Sequence, residues 1–432
     1  MSRHRNGDAA VSRRDFARLF ALGGSAALFA HPAFGRERPP ELVPTPAAPD
    51  ERFWVSVRQQ FLLPPGLAVV NAANLCPSSY PVLDCLYQHT RDVDCDPSFD
   101  NRRKLGDLRE AVRRRLADFL HVTPEEIVIT RNTSEGNNIV SSGVDLKAGD
   151  EVVIFGDNHP SAHVAFREKA KRFGFTVKVV DPVSPHPGPE YYVDAFAKQM
   201  TPRTKLLAIT HVTSSVGDVM PARELCRMAR ERGVLTLVDG AQSFGVLDID
   251  LSDMQPDFFT GSAHKWPCGA REVGVLYINK SAQSKIWPSI ISLYAGAVGI
   301  SKTFEGMGQR DEPAMVAFGE ALAFQERIGK RAIEARARQL SQQLIEGLKQ
   351  TSGVRLWTHP DPARSAAIVV FQPGNLDPAK LATSLYQKDR IACTGRGGAD
   401  RGGIRFSPHL YNTVEEIDRS LAAIKRYMTT GT

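Results

Sequence analysis

The chain has 432 residues, 42% hydrophobic and 24% charged, which is enough to bury a large core and to hold two domains. Its formal net charge is +6, and residues 1–35 contribute five arginines against two aspartates, so the remainder is only about +3. No basic run interleaves with aromatic residues, and no nucleic-acid partner is expected.

At the N-terminus, Ser12-Arg13-Arg14-Asp15-Phe16 precedes a weakly apolar stretch, residues 19–30. That stretch is too short and too rich in Gly and Ala to anchor permanently in a bilayer. Paired arginines, then Phe, then such a segment resemble a twin-arginine export signal, with Ala33-Phe34-Gly35 as a small-residue cleavage site. A signal over 1–35 implies passage through the twin-arginine translocase and a periplasmic or otherwise exported protein. The alternative is a basic amphipathic N-terminal helix. The six cysteines, Cys76, Cys85, Cys95, Cys226, Cys268 and Cys393, form no CxxC and no Cys/His cluster with zinc spacing. Neither a metal site nor a disulfide framework is expected, and most of the cysteines read as small buried hydrophobes.

Residues 36–50, rich in Pro and Ala, read as a linker, and 51–90 as an N-terminal segment that packs on a small C-terminal domain. Leu108, Val112, Leu116 and Leu120 recur at helical spacing. Short apolar runs at 127–129, 151–154, 177–180, 206–209 and 235–238 look like buried parallel strands. They alternate with helical stretches at 162–173 and 222–232, and 274–278 adds a further strand. The α/β fold class follows: a large domain over 91–305 with a mainly parallel sheet. Beyond it, 306–432 reads as a smaller α+β domain. Residues 313–346 look like one long helix, 367–371 and 403–406 like short strands, and 414–427 like a final helix capped by Asn412-Thr413.

The chemistry gathers at strand ends. Asp239 closes the apolar run Thr236-Leu237-Val238, Gln242 follows three residues later, and Ser262-Ala263-His264-Lys265 comes about two dozen residues on. A buried lone carboxylate is costly unless it meets a cation. A lysine amine can hold an aldehyde cofactor as a Schiff base, while a carboxylate keeps a pyridine nitrogen protonated. Pyridoxal 5'-phosphate (PLP) needs that pair. Thr133 and Ser134, opening a helix after the strand at 127–130, offer hydroxyls and backbone N–H groups for a phosphate, or else a plain N-cap. His159 ends another strand and could stack on the ring or be an ordinary loop residue. Ser214, in Thr213-Ser214-Ser215, could set a hydroxyl near the cofactor oxygen or merely cap a turn.

Four stretches together resemble the class V aminotransferase-like, fold type I PLP enzymes, the group that includes cysteine desulfurases and isopenicillin N epimerase. They are residues 130–136, 238–242, 262–265, and 404–412 (Ile404-Arg405-Phe406-Ser407-Pro408-His409-Leu410-Tyr411-Asn412). The resemblance implies a seven-stranded, mainly parallel sheet, a Schiff base on Lys265 and a pyridine partner in Asp239. It also implies that His159 stacks on the ring, that Thr133, Ser134, Ser262 and His264 hold the phosphate, and that Gln242 meets the phenolate oxygen. Arg405 would bind a substrate carboxylate, Asn74 would face the substrate, and the protein would form a homodimer.

Departures narrow the activity. Relatives that desulfurate cysteine place a nucleophilic cysteine near the position of Gly398, whereas Cys393 lies earlier. Gln309 follows Gly308 where many relatives carry a threonine that reaches the partner's phosphate. The expected function is an exported PLP enzyme of aminotransferase or epimerase type acting on the amine of an amino acid or peptide-like metabolite, for example in tailoring a secreted siderophore. A cysteine or selenocysteine lyase using Cys393 is the alternative enzyme, and a non-catalytic PLP-binding scaffold is the alternative of another class.

Overall fold

The computed structural model describes residues 39–293, 295–397 and 400–432. The twin-arginine motif and the position of Gly398 lie outside the described residues. Strand β1 (Ala68–Val69) is followed by seven strands that form the central sheet. These are β2 (Ile127–Thr130), β3 (Glu151–Phe155), β4 (Thr176–Val180), β5 (Thr204–Thr210), β6 (Leu235–Asp239), β7 (Phe258–Ser262) and β8 (Gly274–Ile278). Their order is β2-β8-β7-β6-β5-β3-β4, and β8 alone among the seven runs antiparallel to its neighbours.

The near-continuous apolar runs exist because helices cover both faces of the sheet. Alternation along each strand sorts the side chains between two cores. Val153, Phe155, Leu207, Ile209 and Phe259 join the larger core, while Val152, Ile154, Leu206, Ala208 and Phe258 join the other. At one edge, β4 is only partly buried, against the expectation of a buried strand, because no strand among the described residues pairs beyond it. At the other edge, the open backbone of β2 is covered by side chains. Glu305 Oε1 accepts from Ile129 N at 2.6 Å, and Arg113 Nη1 donates to the Ile127 carbonyl at 2.9 Å. Arg113 and Glu305 are themselves a buried ion pair, so this edge offers no free ladder to another chain.

A further sequence expectation needs correction. The single helix over 313–346 is two helices, Glu312–Ile328 and Lys330–Lys349, broken at Gly329, whose φ of 92° lies in the left-handed region that glycine adopts without strain. The strand at 274–278 belongs to the mainly parallel sheet, as expected, and is antiparallel to both its neighbours.

A second core lies around a four-stranded antiparallel sheet, ordered β12-β13-β10-β9 from β9 (Val354–Leu356), β10 (Val369–Pro373), β12 (Thr394–Arg396) and β13 (Gly403–Phe406). Strand β11 (Ile391–Ala392) pairs in parallel with β1 as a separate two-stranded sheet, which brings Ala68 and Val70 into this core. Buried Arg336 ties the ends together, bonding Glu51 at 2.7 Å and the Asn412 carbonyl at 2.9 Å.

Candidate active site

Lys265 sits in the turn that leaves β7. The turn is pinned from several sides: the His264 carbonyl accepts from Cys76 N at 2.9 Å, and the Trp266 carbonyl accepts from Gln325 Nε2 at 2.7 Å and pairs with His409 Nε2 at 2.6 Å. The Trp266 indole donates to Gln242 Oε1 at 2.9 Å. Lys265 Nζ, by contrast, makes no hydrogen bond to another described residue. Burial holds its pKa below the ordinary lysine value; Asp239 opposes that shift and Arg405 adds to it. A larger share of neutral amine makes a better nucleophile and base.

Asp239 ends β6, opposite Thr260 of the neighbouring strand β7 that leads into the lysine turn, and is 5% exposed. Its Oδ2 accepts from Asn137 Nδ2 at 2.9 Å, and its Oδ1 accepts from Ala241 N at 2.9 Å. Asn137 Oδ1 accepts in turn from Thr260 Oγ1 at 2.8 Å, which fixes the amide. No lysine, arginine or histidine among the described residues forms an ion pair with Asp239. A buried carboxylate held by two neutral donors is still short of a cation. Asn137 was missed from the sequence. The signal was its place one helical turn after Thr133, on the face that meets β6 and β7.

The helix Thr133–Gly143 points its N-terminus at this centre, and it is capped by Asn132, whose Oδ1 accepts from Glu135 N at 3.0 Å. Neither Thr133 nor Ser134 is therefore the N-cap. Thr133 N donates to Ser262 Oγ at 2.9 Å, and the two hydroxyls share one hydrogen bond at 2.8 Å. One hydroxyl proton of the pair is left for an external acceptor. Ser134 is exposed at the second helical position, where its N–H has no acceptor within the helix. Gly136 lets the helix close onto the sheet, since a Cβ there would stand 2.7 Å from Thr260 Cγ2. His264 is half-buried beside Lys265 and Arg271; burial, then those cations, lower its pKa to about 4, so its ring is neutral at neutral pH.

His159 caps the helix Pro160–Phe173, with Nδ1 2.8 Å from Ser161 Oγ, and it remains exposed. Partial desolvation lowers its pKa first. Lys265, Arg405 and Arg396 lower it further, while Asp239 opposes them, so the ring lies among the groups of the site. Asn158 sets that position by bridging to β5: Nδ2 donates to the Ala208 carbonyl and Oδ1 accepts from Thr210 N. Gln242 has one committed N–H, to the Ala73 carbonyl at 3.0 Å, and one free. Ser214 takes part through its backbone, whose carbonyl accepts from Arg396 at 2.7 Å and from Arg405 at 3.1 Å. Asn74 is an exposed turn residue whose N–H donates to the Asn71 carbonyl at 3.0 Å. Its neighbour Asn71 reaches the small sheet instead, where Oδ1 accepts from Thr394 Oγ1 at 2.8 Å.

Arg405 lies on β13 and is 8% exposed, yet its Nε has no hydrogen-bond partner and no described carboxylate pairs with it. Burial, then the nearby Arg396, pull its pKa down to about 10. Arg401, in the turn between β12 and β13, is satisfied: it grips Asp157 with two bonds of 2.6 and 2.8 Å. Neither Arg396 nor Arg401 was singled out from the sequence. Their signal was a short Gly-rich hairpin whose alternation sets Arg396 and Arg405 on one face.

Cys393 sits between β11 and β12, packed against the small-sheet core, and burial pushes its thiol up to about 12. Gln309 is exposed beside Arg102, with an amide oxygen 2.9 Å from the guanidinium.

The residues fit a phosphate-bearing pyridine aldehyde. The amine of Lys265 is uncommitted, Asp239 lacks a cation, and the helix N-terminus beside Ser134 presents donors for a dianion. Comparison with known proteins agrees. The aminotransferase class V family profile matches residues 98–420. The chain is 32% identical over 390 residues to isopenicillin N epimerase of Amycolatopsis lactamdurans, which covers 86% of this chain and 98% of that protein. It is 27% identical over 379 residues to a probable cysteine desulfurase of Methanothermobacter thermautotrophicus, covering 81% of this chain and 91% of that one. Among solved structures, a lysine-to-alanine mutant of C-DES with glycine covalently linked to its PLP cofactor superposes with a TM-score of 0.79 at 25% identity, covering 88% of this chain and 99% of that one. The buried Asp239, the lysine turn and the matched profile converge: the chain belongs to the class V aminotransferase family of PLP-dependent enzymes.

Proposed function

We propose that this enzyme acts on the amine of an amino acid or peptide-like metabolite, with the aminotransferase or epimerase type of outcome. The observation that carries this reading is Arg405, a buried guanidinium with an unpartnered Nε among the groups that face Lys265. A planar guanidinium with free donors suits a carboxylate, and its bidentate grip would orient the substrate's amine toward the lysine.

When bound, PLP supplies an electron sink that acidifies the hydrogen next to the substrate amine. The chain's own residues do the rest. Asn137 and Ala241 N hold Asp239 in one orientation toward the ring nitrogen. Thr133, Ser134 and Ser262 would hold the phosphate end. Lys265 Nζ, with its pKa below the ordinary value, takes the proton and returns it. Transamination and epimerisation differ in where that proton is returned.

Cysteine lyase chemistry through Cys393 is less well supported, because a thiol raised to about 12 is almost wholly protonated at neutral pH. The twin-arginine pattern at Arg13 and Arg14 supports export of the folded enzyme, and the surface of Trp287, Ile291 and Leu293, each more than two-thirds exposed, supports a homodimer. The test is titration of the purified holoenzyme with D- and L-amino acids and amino-terminal peptides. Cofactor absorbance should shift with at least one class and give a keto acid or an inverted product; sulfide release that disappears in Cys393→Ala would replace this reading with the lyase.

A further inference from the structure

We propose that Arg396 is a second anion-binding residue beside Arg405, so that the substrate carries two acidic groups: a carboxylate at Arg405 and a second carboxylate or comparable anion at Arg396. This deepens the preceding reading and rests on it for the position of the amine.

The placement comes from the hairpin. Strands β12 and β13 are antiparallel, with Thr394 opposite Arg405 and Arg396 opposite Gly403. Arg396 is thus two residues along from the partner of Arg405, and the period of two sets both side chains on the same face. Their guanidinium groups converge on one atom, since each donates to the Ser214 carbonyl, at 2.7 and 3.1 Å, and Arg396 also reaches the Ser215 carbonyl at 3.1 Å. The Thr394 hydroxyl, on that face as well, is already bonded to Asn71. Both guanidinium groups act on the His159 ring, which locates them with Lys265 and Asp239 in one space.

The charges do not balance. Asp157 lies near Arg396, but Arg401 holds it with two bonds and Ser215 Oγ donates to it at 2.8 Å. With PLP bound, Asp239 would be taken by the ring nitrogen, and the phosphate would have its own donors at the helix N-terminus. Two cations therefore share neutral carbonyl partners at close quarters, which is unfavourable in a site of reduced dielectric unless anions complete it. One carboxylate satisfies the fork of Arg405. Arg396 keeps donors beyond the one bonded to the carbonyls of Ser214 and Ser215, and no described residue takes them.

Amine-free probes separate binding from turnover. Calorimetry of the holoenzyme would compare malonate, succinate, glutarate and adipate with the monocarboxylates of equal carbon number. At least one diacid should bind about tenfold to a hundredfold more tightly than its monoacid, as expected for one added charge-assisted contact. In Arg396→Gln that ratio should collapse toward one, and Arg396→Lys should restore part of it. A merely structural loss would weaken both probes alike and leave the ratio intact. Equal affinities in the unmodified enzyme, or a ratio that survives Arg396→Gln, would overturn the proposal. Failure of the amine reading shows separately, as a cofactor absorbance that no amino acid changes.

Discussion

Around Asp239, at the carboxyl edge of the large sheet, neutral protein partners fix the geometry although the carboxylate has no cation: Asn137 and Ala241 N bond the carboxylate, Thr260 fixes the Asn137 amide, and Thr133 and Ser262 bond each other. On the small sheet, Arg396 and Arg405 share a neutral carbonyl, and Arg405 Nε is buried without a partner. The first region holds one fixed geometry, which suits a resident cofactor. The second leaves two cations without a counter-charge, which a protein tolerates where a ligand that comes and goes supplies it. The contrast is between a part of the site fitted to a cofactor and a part fitted to an exchanging ligand.

The sharpest way to break that contrast is Lys265→Ala. It should abolish the cofactor-linked absorbance near the visible edge and lower turnover by at least about 10²–10⁴-fold, the range for a lost general base; a retained band would remove Lys265 from its role. Next, Arg405→Ala should raise KM for a carboxylate substrate by about tenfold to a hundredfold, from the loss of roughly 1.5–3 kcal/mol in charge-assisted bonds. The cofactor spectrum should stay intact, so a bleached spectrum would show that the two regions are not separable. On the other side, Asn137→Ala should leave one oxygen of Asp239 unsatisfied at a cost of about 1–3 kcal/mol. Its expected readout is a shifted pH profile of the cofactor absorbance with KM for the substrate unchanged, the reverse of Arg405→Ala.

The smallest effect concerns His409, which braces the lysine turn through the Trp266 carbonyl and is fully buried. Burial lowers its pKa from 6.5 to about 4. The folded value is depressed, so the unfolded chain takes up the proton first as pH falls. Its contribution is complete above about 6.5 and is lost progressively toward 4. Tm should fall by on the order of a few degrees across that window, and less steeply in His409→Gln. Identical slopes would show that other groups control the acid limb.

How much of this was legible in the sequence depends on range. The strands were visible because both faces of the sheet are covered, so each reads as a short apolar run. The helices at 80–95, 189–199 and 378–389 were not singled out, since each buries only one or two side chains (Val82; Tyr192 and Phe196; Leu381 and Leu385) and so carries no long apolar face. Lys265 and Asp239 could be read because each follows an apolar strand at a characteristic distance. Arg405 was reached by likeness to a family motif rather than by any local pattern. The break at Gly329 was missed because the helical composition continues on both sides of it.

By itself, then, the sequence determined the sheet and set Lys265, Asp239 and Thr133 at the ends of its strands, since each follows from its own strand and the residues just beyond it. Only the tertiary structure decided that Asn137 steadies Asp239, that Asp157 is taken by Arg401, and that Arg396 stands unpaired beside Arg405. Those facts depend on charge and hydrogen-bond pairing across separations of 102 residues for Asn137 and Asp239, 182 for Arg396 and Ser214, and 244 for Arg401 and Asp157. Local pattern cannot show which cation keeps a partner and which is left for the substrate.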